Sequence, residues 1–269
     1  MNSWKSCGRS WDRKEEGDRL NRGLNEVTLI VITLNEEENI GDCLKSAPGV
    51  GEIIVVDSFS DDETVRIAEE AGARVYRREF ISNAEQKNWA IEKASGEWIL
   101  ILDADERLSP ALRREIADLL DNPEAEGYWL RRKNRFMNRD IKHCGWGNDL
   151  VLRLFRAGRG RYSERLVHEK LILEGRASRL ENPVLHDPYR DMNDYLDRMN
   201  QYSRRGAEEL HRDGKHWFPG IITHPLFRFF RMYFLQLGFL DGAAGFILCS
   251  AATAGVFFKY VYLKELREP

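Results

Sequence analysis

The stretch VTLIVITLNEEENIGDCLKSAPGVGEIIVVD, Val27 to Asp57, decides the fold. Its first eight residues are an unbroken, β-branched apolar run, the pattern of a strand buried on both faces of a parallel sheet. A helix is expected over Asn35–Ala47, with Ile40 and Leu44 on one face and Pro48-Gly49 as its stop. EIIVV, Glu52–Val56, is a second buried strand and ends on Asp57. The alternation continues outward from there. Ser60 or Asp61 is placed to cap a helix reaching about Ala71, before Gly72. Arg74–Arg77 is a short third strand and Ala84–Ala94 a helix. WILIL, Trp98–Leu102, is a fourth buried strand ending on Asp103, and Pro110–Leu120 a helix with proline at an early position. Strand and helix alternating in this way specify an α/β fold with a doubly wound, mostly parallel sheet.

With 269 residues the chain can bury a full core, and 42% hydrophobic residues exclude a disordered protein over most of its length. A net charge of −3 gives no sign of a nucleic-acid partner. The charge is uneven: Gly127–Arg176 holds 13 Lys and Arg against 5 Asp and Glu, a net of +8, which leaves −11 elsewhere. Such a segment is either an anion-facing surface or an ordinary solvated face. Cys7, Cys43, Cys144 and Cys249 are far apart and form no CxxC, so neither a disulfide scaffold nor a zinc finger is indicated, and a reducing compartment fits. Met1–Asn25 has no apolar core of a secretory signal and reads as a poorly ordered extension.

Beyond Asn122-Pro123 the pattern changes. Strands are expected at Tyr128–Arg132, Leu150–Phe155 and Lys170–Leu173, and a polar, amphipathic helix at Arg190–Leu210. Phe218–Phe258 is rich in Phe, Ile, Leu, Gly and Ala and is divided by Asp241. Its charge-free part, Gly242–Phe258, has 17 residues, short of the roughly 20 needed to span a bilayer. With Arg228, Arg231, Lys259 and Lys264 flanking the apolar stretches, a pair of helices lying in a membrane interface is expected; the alternative is a helical hairpin packed on protein. The expected organisation is an extension over 1–25, a catalytic domain over 26–215 and an apolar, membrane-associating region over 216–269. The catalytic domain divides into a nucleotide-binding half over about 26–122 and an acceptor half over about 123–215.

Ligands of doubly wound sheets bind outside the carboxyl ends of the strands. Here those ends carry Thr33, Asn35 and Glu36, then Asp57 and Ser58, then Asp103 and Asp105. No GxGxxG and no GxxxxGK[ST] occurs. Asp103-Ala104-Asp105 places two carboxylates just past a buried strand, where they can grip a hard divalent cation; the plain alternative is a solvated acidic turn. Asp57 can accept hydrogen bonds from a base or ribose. Lys87, on a helix, can meet a phosphate, although a helix-surface lysine is usually just solvated. His168 is a candidate third metal ligand. Asp149 follows a Gly-Trp-Gly loop and is a candidate general base, with Glu169 next.

ITLNEE, VVDSFSDDET, EQKNWA and LDADE, in that order, resemble inverting family 2 glycosyltransferases of the GT-A fold. HCGWGNDLVLRLFR, RLVHEKL, LHDPYRDMNDYLDRMNQYS and HPLFRFFRMYFLQLGFLDGAAGF resemble the bacterial lipopolysaccharide core subgroup typified by a β-1,4-glucosyltransferase. The resemblance implies a nucleotide site lined by Thr33, Asn35, Glu36, Asp57 and Lys87, with Asp57 near the base. It implies Asp103 at ribose or metal, Asp105 at the metal, His168 completing the metal or diphosphate environment, and Asp149 as base. Asn148-Asp149 stands where many members have Glu-Asp, and Cys144 where related sequences often have glycine. The implied enzyme is a hexosyltransferase that uses manganese or magnesium and a UDP-sugar, such as UDP-glucose. Its acceptor is a lipid-linked saccharide, and its place is the cytoplasmic face of the bacterial inner membrane. Transfer to a polyprenyl phosphate is the alternative within enzymes, and a receiver-like signalling domain the alternative outside them.

Overall fold

The computed structural model describes residues 23–163 and 170–268. The extension expected over 1–25 lies almost wholly outside the described residues. The chain divides into two compact units. One runs through Arg132 and takes in Leu150–His186; the other comprises Lys133–Asp149 and the chain from Asp187 onward.

The first unit opens with β1 (Val27–Thr33), α1 (Ile40–Lys45), β2 (Glu52–Asp57), α2 (Thr64–Glu70), β3 (Arg74–Arg77), α3 (Asn83–Ile91) and β4 (Trp98–Asp103). It continues through β5 (Glu106–Leu108) and α4 (Pro110–Leu120) into β6 (Gly127–Phe136). After β7 (Arg139–Asp140), which belongs to the second unit, come β8 (Asp149–Arg156), β9 (Gly160–Tyr162), β10 (Leu171–Leu173) and β11 (Ala177–His186). The main sheet has the order β3-β2-β1-β4-β8-β6-β11-β5, with β7 on β6; β9 and β10 form a separate ribbon. Pairing among β3, β2, β1 and β4 is parallel, whereas β8 joins β4, and β5 joins β11, antiparallel.

The unbroken apolar strands follow from burial on both faces. Leu29 and Val31 pack into one core with Leu100 and Leu102, while the intervening Ile30 packs into a second core with Ile54, Ile99 and Ile101. Ser82 and Ser109 cap α3 and α4 by accepting from Glu85 N and Leu112 N, and Pro110 opens α4 as expected. The amino edge of the sheet is closed by Glu52. Its carboxylate accepts from Thr28 Oγ1 at 2.8 Å and from Ser95 N and Oγ at 2.8 and 2.9 Å, and pairs with Arg74 at 3.1 Å.

In the second unit α5 (Met192–Arg212), α6 (Gly220–Phe230), a π-helical turn (Arg231–Leu235), a 3-10 turn (Gly238–Asp241) and α7 (Gly242–Arg267) follow one another. Asp191 caps α5 through Asp194 N. α7 continues past the charge-free stretch to Arg267, and Gly238–Arg267 is long and apolar enough by length and composition to cross a membrane.

Burial alone would raise the Glu52 carboxyl, but the bonds from Ser95 and Thr28 and the charge of Arg74 hold it below the ordinary value. A depressed folded-state value stabilises above the unfolded value, and that stabilisation is lost as pH falls through the folded value. Glu52→Gln is therefore expected to cost about 1.5–3 kcal/mol near neutral pH. In urea unfolding the gap to the wild type should narrow on acidification below about pH 4.

Candidate active site

Register brings the polar strand ends to one edge. Thr33 pairs with Asp57 across β1 and β2, and Ile32 pairs with Asp103 across β1 and β4. Asn35 turns the chain there in the left-handed region, φ 54°, which asparagine tolerates. Its N–H donates to Ser60 Oγ at 2.8 Å, and its Oδ1 accepts from Asp61 N at 3.0 Å. Glu36 N donates to Thr64 Oγ1 at 2.8 Å. Asp57 is fully buried and accepts from Ser60 N at 3.0 Å and from the Ser60 hydroxyl. These bonds correct two expectations. Ser60 and Asp61 do not cap the next helix, which begins later, at Thr64, with no side-chain cap. The preceding helix likewise begins at Ile40, because Asn35 and Glu36 are occupied with the loop after β2. Thr33, Asn35, Glu36 and Asp57 thus lie together. The Thr33 hydroxyl is buried with no hydrogen-bond partner among the described residues.

Beside them is a chain of alternating charges. The Asp103 carboxylate accepts from the Arg153 guanidinium and stands 3.7 Å from Lys87 Nζ. Arg153 also lies 3.7 Å from Glu106 Oε1, which Arg132 approaches to 3.5 Å. Glu106 Oε2 accepts from Asp103 N at 2.9 Å. Lys87, Glu106 and Arg153 are buried. Lys87, expected to approach the nucleotide, is buried, with its ammonium 5.1 Å from the Tyr162 ring centroid. Burial alone would raise the Asp103 carboxyl, but Arg153 and Lys87 hold it well below the usual carboxylate range. Glu106 is shifted the other way, by burial and by the Asp103 charge, against the pull of Arg153.

The antiparallel register of β5 and β11 sets His186 opposite Glu106 and brings His186 Nε2 to 3.6 Å from Asp105 Oδ1. Burial would lower the His186 imidazole, but Asp105 and Glu106 raise it. Asp105 Oδ1 is buried, and no hydrogen-bond partner for it is found among the described residues. A carboxylate oxygen beside an imidazole is a donor set that fits a divalent cation taking its remaining ligands from phosphate and water. Among the described residues no group of three His, Cys, Asp or Glu side chains is gathered to hold a metal. Asp103, expected to share that role, is engaged by Arg153. His168 and Glu169 lie outside the described residues.

Arg153, Glu106, Arg132 and His186 were not expected from the sequence. Arg153 had a signal: a single cation inside the apolar strand VLRLF must find a buried partner. His186 ends a strand just before Asp187-Pro188, the same kind of position as Asp57 and Asp103.

Asp149 belongs to the second unit. Its carboxylate accepts from Asn134 Nδ2 at 3.2 Å, and Asn134, which is buried, also donates to Trp146 O at 3.1 Å. Cys144 and Gly145 both lie at positive φ, 59° and 84°, in the turn before Trp146. A Cβ on Gly145 would stand 2.7 Å from the Gln236 side chain.

A doubly wound sheet with acidic strand ends and a carboxylate–imidazole pair at its carboxyl edge is the α/β architecture that binds its ligands at the strand ends. The chain belongs to glycosyl transferase family 2: the family profile matches residues 28–172. It is 32% identical over 241 residues to the lipopolysaccharide core biosynthesis glycosyltransferase LpsC of Rhizobium meliloti (strain 1021), covering 86% of this chain and 88% of that protein. It is 27% identical over 264 residues, 93% of each, to the uncharacterized glycosyltransferase RC0292 of Rickettsia conorii. Among solved structures, glucosyl-3-phosphoglycerate synthase from Mycobacterium tuberculosis with Mn2+, UDP and glucosyl-3-phosphoglycerate shares 26% identity over 40% of this chain and 44% of that one, with a TM-score of 0.35.

Removing Arg153 takes a guanidinium away from the buried Glu106 carboxylate, beside the partly exposed Asp103. Arg153→Met should destabilise by about 3–5 kcal/mol in urea unfolding. Adding Glu106→Gln should recover part of that loss; a double variant no more stable than the single one contradicts the charge chain.

Proposed function

We propose that the protein is an inverting hexosyltransferase that moves a sugar, glucose from UDP-glucose, onto a lipid-linked acceptor saccharide such as the inner core of lipopolysaccharide. It would work at the cytoplasmic face of the bacterial inner membrane. The observation that carries this reading is the similarity to LpsC along most of both chains. Support comes also from the strand-end acids and from the basic segment Gly127–Arg176, whose charge suits a phosphorylated saccharide or anionic headgroups. In this reading residues 26–215 are catalytic and 216–269 meet the membrane.

Asp57, with Asn35, Glu36 and Thr33 around it, receives the nucleotide base and ribose, and Asp103 faces ribose or metal. Lys87 and Arg153 hold Asp103 ionised and fix its direction. Asp105 and His186 would hold the divalent cation, manganese or magnesium; when bound it neutralises charge developing on the leaving diphosphate. The acceptor hydroxyl gives its proton to Asp149, whose carboxylate Asn134 orients. The hydroxyl oxygen bonds to the anomeric carbon as the bond from that carbon to the diphosphate breaks. A single displacement inverts the configuration.

A screen of UDP-, GDP- and dTDP-sugars against core saccharide and polyprenyl phosphate tests donor and acceptor together. Turnover with UDP-glucose on core saccharide is expected; turnover confined to polyprenyl phosphate overturns the acceptor assignment. Asp149→Asn keeps shape and removes the proton acceptor. It should lower transfer by about 10²–10⁴-fold and leave donor affinity within about 2-fold. Transfer at the wild-type rate places the base elsewhere.

A further inference from the structure

The second unit presents an apolar surface made by α6 and the two turns that follow it. Ile222, Leu226, Phe230 and Phe234 recur at four-residue spacing and are 56%, 67%, 50% and 49% exposed. The patch extends through Tyr233, whose ring lies 5.2 Å from Phe234, 6.2 Å from Phe239 and 5.8 Å from Phe246. Phe239 and Phe246 are themselves exposed. A soluble monomer rarely displays contiguous apolar side chains on this scale.

Charge selects what covers this face. Between Phe218 and Leu240 there is no acidic residue, while Arg228 and Arg231 are exposed among the aromatic side chains. The neighbouring acid, Asp241, is engaged by His143, through Nδ1 at 2.9 Å and the backbone N–H at 2.8 Å. Aromatic and aliphatic side chains interleaved with arginine, and free of acids, complement the boundary between acyl chains and anionic headgroups.

The long helix α7 passes the length test for a membrane span, yet α5 lies along it. Ser203 Oγ donates to Gly255 O at 2.9 Å, the Tyr262 hydroxyl bonds Asn200, and the Arg204 guanidinium stands 4.4 Å from the Tyr262 ring centroid. Gly206 and Gly255 permit this approach: a Cβ on either would come within 2.8 Å of Lys259 or Met199. The outer face of α5 exposes Asp197, Arg204, Arg205 and Glu208. A bilayer-crossing α7 would carry those charges into hydrocarbon, where each is costly.

We propose that Gly220–Asp241 inserts in the plane of one leaflet of an anionic bilayer and that α7 does not cross it. The proposal rests on the reading that the acceptor is lipid-linked. It gives that reading a geometry, because the loop bearing Asp149 is built on the inserted turns. Lys142 N donates to Asp241 at 3.2 Å, and Cys144 N donates to Gln236 O at 3.0 Å.

The test is flotation of the full chain with phosphatidylglycerol-containing vesicles and with pure phosphatidylcholine vesicles. The wild type should float with the anionic vesicles. Leu226→Glu with Phe230→Glu should abolish flotation while UDP binding is retained as the sign of an intact nucleotide half. Arg228→Gln with Arg231→Gln should weaken binding about 10-fold or more on anionic vesicles and little on neutral ones. Ala243→Cys and Leu266→Cys, at the two ends of α7, should both react with an impermeant maleimide added outside sealed vesicles, above the background of the unsubstituted chain. Protection of Leu266→Cys, the end far from the inserted segment, means that α7 spans, and overturns the proposal. A wild type that stays off vesicles and sediments as a dimer, and that Leu226→Glu with Phe230→Glu makes monomeric, assigns the face to a second copy and also overturns it. Flotation and labelling use no acceptor, so they can fail while transfer to a lipid-linked saccharide stands, and the reverse.

Discussion

The Arg153 guanidinium, held between the Asp103 and Glu106 carboxylates, is the interaction on which the site depends. Asp103 and Glu106 are three residues apart on strands that follow one another in the chain, and Glu106 has no exposure to water. Two acids this close, one of them buried, cannot both ionise without cations beside them. The chain supplies those cations from three different elements: Lys87 from α3, Arg153 from β8 and Arg132 from β6. The pairing of β8 with β4, Leu154 against Leu100, is what places Arg153 there. The later strands are therefore part of the charge balance of the carboxyl edge as well as an extension of the sheet.

This arrangement separates the tasks of the carboxylates. Asp103 is fixed by Arg153 and kept ionised, so it can accept from hydroxyls without shifting. Asp105 carries a buried oxygen for which no hydrogen-bond partner is found among the described residues, with the His186 imidazole 3.6 Å away. Glu106 serves as a counter-charge and closes the turn through Asp103 N. One short sequence, Asp103-Ala104-Asp105-Glu106, thus presents three acids to three environments.

The parallel core was legible because burial on both faces forces continuous apolar runs, and the acids at their ends stood out against those runs. Thr33, Asn35, Glu36 and Asp57, which lie together at one edge, are legible for that reason. Helix starts were misread at Asn35 and at Ser60, because both residues bond across to the neighbouring loop, and a contact between residues 25 positions apart leaves no periodic trace. Arg153 and His186 were missed because their partners lie 50 and 81 residues away in the chain. The charge-free stretch Gly242–Phe258 is shorter than the helix that holds it, because α7 continues through Lys259 and Lys264 to Arg267.

The central claim is that the carboxyl edge of β1, β2 and β4 is the nucleotide site. A crystal structure of the protein with UDP and manganese, with the metal located from its anomalous signal, tests it most directly. The account requires the manganese beside Asp105 and His186, the uracil near Asp57 and the ribose within reach of Asp103. Manganese bound away from Asp105, or UDP seated away from these strand ends, would contradict it.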